Sequence, residues 1–212
     1  MKIIYWSDYA CPYCYIGEAR LMKAIKNFSA ADIELEMKSF RLDPNAPLKA
    51  DGDTQTRFAE KYGITFELAG LQIEKISRMG RDDGLKFNYA STLFTNTMDA
   101  HRLTKFAHSK GEPELYERII NNLFAAYFAD NKELADHEVL IQAGIDAGLD
   151  KLELEKFLAG NKFQAEVLSD EQEAFAKGIR GVPFFVLDDA YALSGAQPVE
   201  IFSQAIAKAL KL

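Results

Sequence analysis

The first forty residues read strand, helix, strand, and no other feature of the sequence constrains the fold as tightly. Residues 2–7, Lys-Ile-Ile-Tyr-Trp-Ser, are a short and nearly continuous apolar run with β-branched and aromatic members, which fits a strand buried on both faces. Leu21, Ala24, Ile25 and Phe28 then recur at i, i+3, i+4 and i+7, one face of a helix from Pro12 to about Phe28. In residues 32–40, Ile33, Leu35 and Met37 alternate with Glu34, Glu36 and Lys38, as in an edge strand with one wet face. Two strands joined through a helix in so short a span are parallel, with a right-handed crossover.

The other end of the chain is built as sparingly. Pro183-Phe-Phe-Val-Leu187 reads as a strand, Asp188-Asp189 as a turn, and Tyr191-Ala-Leu193 as a return strand. Pro198 opens a last helix whose apolar face is Val199, Phe202, Ile206 and Leu210. Between the ends the periodicity is helical, over 66–79, 95–110, 115–126 and 137–147. Asp150 with Glu153 forms a capping-box-like start. Asn161 can cap a further helix with Phe163, Val167, Ala174 and Phe175 inward, closed by Gly178. Turn residues crowd 43–53 and mark a linker. The expected fold class is α/β: a core over residues 1–54 and 161–212 with strand order βαβ…ββα, interrupted by a large all-helical insertion over 55–160.

Composition excludes several functions. Thirty-two acidic residues against 25 Lys and Arg leave a net charge of −7, so no nucleic acid and no anionic membrane surface is expected as a partner. No apolar stretch reaches the roughly 18 residues that span a bilayer. The apolar run at the start stops at Ser7-Asp8, too short for a secretory leader, so a cytoplasmic location is expected. The Asn27-Phe-Ser29 sequon has no meaning there.

Cys11 and Cys14 are the two cysteines of the chain. A reducing compartment keeps them as thiols most of the time, which favours a catalytic, redox or metal role over a structural disulfide. They sit where the first strand gives way to the first helix, as Cys-Pro-Tyr-Cys. A thiol at a helix N-terminus meets unpaired N–H groups and the positive end of the dipole, and both favour the nucleophilic thiolate. Pro12 is tolerated in the first turn. Cys11, expected at the exposed tip, attacks; Cys14, one turn in, resolves the mixed disulfide. A zinc site would need two further ligands, and His101, His108 and His137 do not supply them at a matching spacing, so no metal is expected. Asp8 reads as a surface acid or as a proton acceptor near the pair.

Gly181-Val-Pro-Phe184 is the second signal. A proline at the first residue of a strand can be ordinary edge punctuation; beside the cysteine motif and the element order it resembles the cis-proline of thioredoxin-like folds, which implies a loop packed against the sulfurs and a Val182 backbone open to an extended substrate.

With these pieces in place the sequence resembles the DsbA-like branch of the thioredoxin superfamily, its FrnE-type cytoplasmic members in particular. The resemblance rests on Asp8-Tyr-Ala-Cys-Pro-Tyr-Cys-Tyr-Ile-Gly17, Asn96-Thr-Met-Asp-Ala-His-Arg-Leu103, Gly178-Ile-Arg-Gly-Val-Pro-Phe-Phe185 and Leu193-Ser-Gly-Ala-Gln197. It implies a thioredoxin-like core with a mixed four-stranded sheet and a helical insert. It also implies a protein disulfide oxidoreductase or isomerase, with Cys11 and Cys14 catalytic and Pro183, preceded by Val182, the cis-proline.

Pro12, Tyr13, Val182 and Pro183 are the expected substrate-binding residues in the core, and Asn96 and His101 in the insert. Asn96 could equally be a helix cap, and His101 a satisfied polar residue. The insert is expected to wall the site, which suits extended or small disulfides. No cofactor is expected, though glutathione can serve as substrate or ligand. The partners are disulfide-containing proteins or glutathione-type thiols, and the chain is a monomer or homodimer. Two competing functions share the scaffold. Glutathione-dependent isomerases, such as 2-hydroxychromene-2-carboxylate isomerase, and kappa-class glutathione transferases resemble this chain but keep serine where Cys11 stands. A chaperone-like binding protein would use the groove without chemistry.

Overall fold

The structure, a computed structural model, describes residues 1–28 and 31–212; Ser29 of the sequon lies outside the described residues. In chain order its elements are β1 (Lys2–Ser7), α1 (Pro12–Lys26), β2 (Glu34–Ser39), α2 (Thr54–Tyr62), α3 (Phe66–Asp82), α4 (Met98–His108), α5 (Pro113–Phe128), α6 (His137–Ala147), α7 (Lys151–Leu158), α8 (Gln164–Ala176), β3 (Phe184–Leu187), β4 (Tyr191–Ser194) and α9 (Val199–Ala209). The strands form one mixed sheet in the order β2-β1-β3-β4. β1 and β2 are parallel, from Lys2 opposite Glu34 to Ser7 opposite Ser39, while β3 runs antiparallel to both β1 and β4. This is the α/β class with a thioredoxin-like, DsbA-type arrangement and a helical insertion.

Side chains leave β1 alternately to the two faces, and both faces are covered. On one face Tyr5 stacks on Phe185 at 5.6 Å, and Phe185 meets Phe202 of α9 edge-on at 4.8 Å. α1 packs beside α9 on that face. On the other, Trp6, Phe40, Ala174 and Ile179 form a buried cluster flanked by Ile4, Val182, Phe184 and Val186. Polar bonds fix α8 here. The Trp6 indole N–H donates to the Asp170 carbonyl (3.1 Å), and the Ser39 N–H donates to the Asp170 carboxylate (2.8 Å). Arg41 grips Glu171 with two guanidinium bonds, of 2.7 and 3.1 Å.

Local chemistry explains most of the elements. Between β3 and β4, Asp188 and Asp189 adopt φ of 46° and 53°, the type I′ conformation, closed by Ala190 N–H on Leu187 C=O at 3.0 Å. β2 is an edge strand, but its outer face is not simply wet: Lys38 pairs with Glu173, and Glu36 with Lys2 at 2.7 Å. Two expectations for α8 are corrected. Asn161 does not cap it, because Phe163 takes φ 68° and the helix starts only at Gln164. Phe175 is 52% exposed, because the core-facing stripe of α8 runs through Val167 and Ala174, and the next residue points away.

The chain divides into two compact units, residues 1–42 with 169–212 and residues 43–168. The sequence-based limits of the insertion were 55 and 160. Within the helical unit the flanking segments are already bonded: Ala50 N–H to the Glu133 carboxylate (2.7 Å), and the Arg102 side chain to the Lys162 carbonyl (2.9 Å). Phe87 stacks on Phe128 at 4.7 Å and Phe106 on Phe157 at 4.5 Å in its interior. Among the described residues no helix is long and apolar enough to cross a membrane.

Candidate active site

β1 ends at Ser7, and four residues later Cys11 is the N-cap of α1, extended at φ −94° and ψ 115°, with Pro12 in the first turn. The turn closes through Cys11 N–H on Asp8 C=O at 3.1 Å, and Cys14 N–H returns to Cys11 C=O at 3.1 Å. Both cysteines are unbridged. Cys11 is 4% exposed, which corrects the expectation of a sulfur at an open tip. Its cover includes the loop before β3. The Val182–Pro183 peptide is cis, and the Val182 carbonyl accepts from Cys11 Sγ at 3.6 Å.

Cys14 is buried more deeply, at 1% exposure. Burial pushes its thiol well above the ordinary range, and the neighbouring Cys11 sulfur pushes it further. The Asp8 N–H acts in the opposite direction, donating to Cys14 Sγ at 3.4 Å. The pair thus has one sulfur at the helix cap beside a carbonyl and one held as a thiol beneath the first turn. Tyr13, between them, is 41% exposed; Pro12 is buried.

A model of the DSBA-like thioredoxin domain matches residues 2–207. The chain belongs to this family. A probable DsbA oxidoreductase from Streptomyces coelicolor is 36% identical, with a TM-score of 0.92 over 100% of this chain and 90% of that one. At 13% identity, a 2-hydroxychromene-2-carboxylate isomerase shares the fold with a TM-score of 0.73, over 100% of this chain and 97% of its own. The cytosolic disulfide reductase DsbM from Pseudomonas aeruginosa, solved with GSH, does so at 17% identity and 0.68, covering 100% of both chains. The last two likenesses show the scaffold alone. An isomerase and a reductase share it, so the chemistry must be read from the site.

In this DsbA-like chain, residues that the sequence reading left without a role hold the cis-proline loop. Gly195 N–H donates to Pro183 C=O at 2.8 Å, and the Arg20 side chain to Ala196 C=O at 2.7 Å. Gly17 lets α1 approach that loop: a Cβ there would stand 3.1 Å from Pro183 Cγ and 3.3 Å from the Phe185 ring. A glycine inside a helix, disfavoured by about 1 kcal/mol against alanine, was the available signal. Asp8 is 1% exposed rather than on the surface. The loop returning from β2 covers it and engages its carboxylate through the Leu42 N–H at 2.8 Å.

Asn96 and His101 belong to the helical unit. The Asn96 side chain donates to the carbonyls of Pro44 (3.2 Å) and Ala46 (3.3 Å) and accepts from Met98 N–H (2.9 Å), so it ties the 44–47 segment to the start of α4. His101 lies one turn into α4 and is fully buried. Among the described residues, no three His, Cys, Asp or Glu side chains group as a metal site requires.

Proposed function

We propose that the protein is a thiol–disulfide oxidoreductase in which Cys11 attacks and Cys14 resolves. The observation that carries this reading is the asymmetry of the pair: Cys11 caps α1 with its sulfur 3.6 Å from the Val182 carbonyl, while Cys14 is held as a buried thiol. The Cys11 thiolate attacks one sulfur of a substrate disulfide. One S–S bond breaks, one forms, and the departing thiolate takes a proton. Cys14 then gives up its proton and attacks Cys11 Sγ, releasing the second substrate thiol and leaving the Cys11–Cys14 disulfide. Two electrons and two protons have passed from the dithiol to the substrate.

Pro12, Tyr13, Val182 and Pro183 form the substrate-binding rim of this proposal, which takes the pair to work in the reducing cytoplasm on protein disulfides or glutathione-type disulfides. Asn96 and His101 enter it as residues of the insert that set substrate choice, tested by alanine variants assayed on both disulfide classes.

The main test is reduction of glutathione disulfide and of insulin by the wild type and by Cys11→Ser and Cys14→Ser. Cys11→Ser should fall to the uncatalysed background on both substrates, because the nucleophile is gone. Cys14→Ser should stall as a mixed disulfide. Retained reduction of either disulfide by Cys11→Ser would remove the dithiol reading.

A further inference from the structure

Asp8 is bonded at the site through both its side chain and its backbone. Its carboxylate accepts the Leu42 N–H at 2.8 Å, just past the end of β2, and the Ala10 N–H at 3.4 Å. Its carbonyl accepts the Cys11 N–H at 3.1 Å, and its N–H donates to Cys14 Sγ at 3.4 Å. A carboxylate that is 1% exposed is costly to bury unless such bonds hold it. Here they join the β1–α1 turn to the segment leaving β2, a fixed point for the turn that carries both cysteines.

We propose that Asp8 is a positioning residue for the resolving step: its buried carboxylate pins the 8–11 turn and so aims the Asp8 N–H at Cys14. The bond matters when Cys14 leaves the thiol form. The thiolate that attacks Cys11 Sγ is otherwise desolvated, and a hydrogen bond to a charged acceptor is stronger than one to a neutral sulfur. Asp8 therefore acts on the second thiol–disulfide exchange and not on the first. Its effect is geometric, through the turn, and its own proton takes no part. Asparagine keeps an oxygen for the Leu42 N–H, which lies closer than the Ala10 N–H.

The inference rests on the dithiol reading, and its test separates the two. Reduced protein is mixed with glutathione disulfide, quenched in acid at intervals and weighed by mass spectrometry for the Cys11–glutathione adduct; Cys11 alkylation by iodoacetamide is timed in parallel. Cys14→Ser must accumulate the adduct, and its failure to do so would overturn the dithiol reading itself. Given that adduct, Asp8→Ala should resolve about fivefold to tenfold more slowly than the wild type, the scale of one hydrogen bond, with Cys11 alkylation unchanged. Asp8→Asn should restore most of the rate. Leu42→Pro removes the donor and leaves Asp8 in place; it should slow resolution likewise, and it carries the test if Asp8→Ala fails to fold. Resolution at the wild-type rate in Asp8→Ala or Leu42→Pro overturns the proposal. So does a parallel loss of Cys11 alkylation, or Asp8→Asn as slow as Asp8→Ala, which would assign the effect to charge.

Discussion

In the sheet unit, buried polar groups reach far along the chain. Trp6 and Ser39 both bond to Asp170, Asp8 bonds to Leu42, and Cys11 meets Val182. In the helical unit, four helix starts are settled by a residue beside them. Asp53 accepts from Thr56 N–H, Thr65 from Leu68 N–H, Asp136 from Glu138 N–H and Asp150 from Glu153 N–H. Those helices start from locally specified caps, although Ala50 and Arg102 also bond 83 and 60 residues away within the helical unit; in the sheet unit the bonds at Trp6 and Cys11 exist only once its two distant chain segments have met. The proposed chemistry belongs to the second kind of region, where tertiary bonds hold the Cys11 thiol against a carbonyl and bury the Asp8 carboxylate nearby.

The largest expected effects test whether the two interiors differ in function or only in construction. Phe185 and Phe128 are both fully buried, each between aromatic neighbours. Phe185→Ala and Phe128→Ala should each cost about 3–5 kcal/mol in urea unfolding. Only Phe185→Ala should also change the rate of Cys11 alkylation. An equal change from Phe128→Ala would break the division of labour.

Gly17→Ala comes next. The added methyl forces Pro183 or Phe185 to give way, at about 1–3 kcal/mol, and should alter Cys11 alkylation as well as the unfolding midpoint. A variant with wild-type stability and reactivity would show that the cis-proline loop has slack there. The matching change in the other unit is Asp150→Ala, which removes the α7 cap bond of 3.0 Å. It should cost about 1 kcal/mol and leave the cysteines untouched.

The smallest effect is a pH slope. Unfolded, Cys14 ionises near the ordinary thiol value of about 8.5; folded, burial holds its proton to higher pH. Its contribution to the stability of the reduced protein is whole below that unfolded value. It declines as pH rises from there towards the folded value. Thermal midpoints of the reduced wild type should therefore fall more steeply into alkaline pH than those of Cys14→Ser. Parallel curves would mean that Cys14 is not desolvated as described.

Much of this was legible in advance. The β1–α1–β2 start, the closing hairpin and α9, and the cysteine pair at a helix cap follow from residue patterns of short range, and the cis bond before Pro183 from the resemblance over the whole chain. Apart from the Asn161 cap, which fails locally at Phe163, the misreadings share one cause. Phe175 reads as core by its apolarity, yet the orientation of α8 is set by Asp170 and Glu171 bonding to Ser39 and Arg41, and no periodicity within α8 records that. Cys11 reads as exposed because the loop that covers it lies at the other end of the chain. The order Asp8-Tyr-Ala-Cys11 cannot show that the acid turns towards Leu42.

The sequence by itself determined most element types, the parallel pairing of β1 with β2, the closing hairpin and the place of the cysteine pair at a helix start. Hydrophobic period, turn residues and helix caps act over a few residues and need no partner to be recognised. The tertiary structure alone decided how deeply each sulfur is buried, which carbonyl faces Cys11 and where the Asp8 carboxylate is spent. Those depend on segments 34 residues apart at Asp8 and Leu42 and 171 apart at Cys11 and Val182 closing on one another, in an interior where each polar group must find a bond.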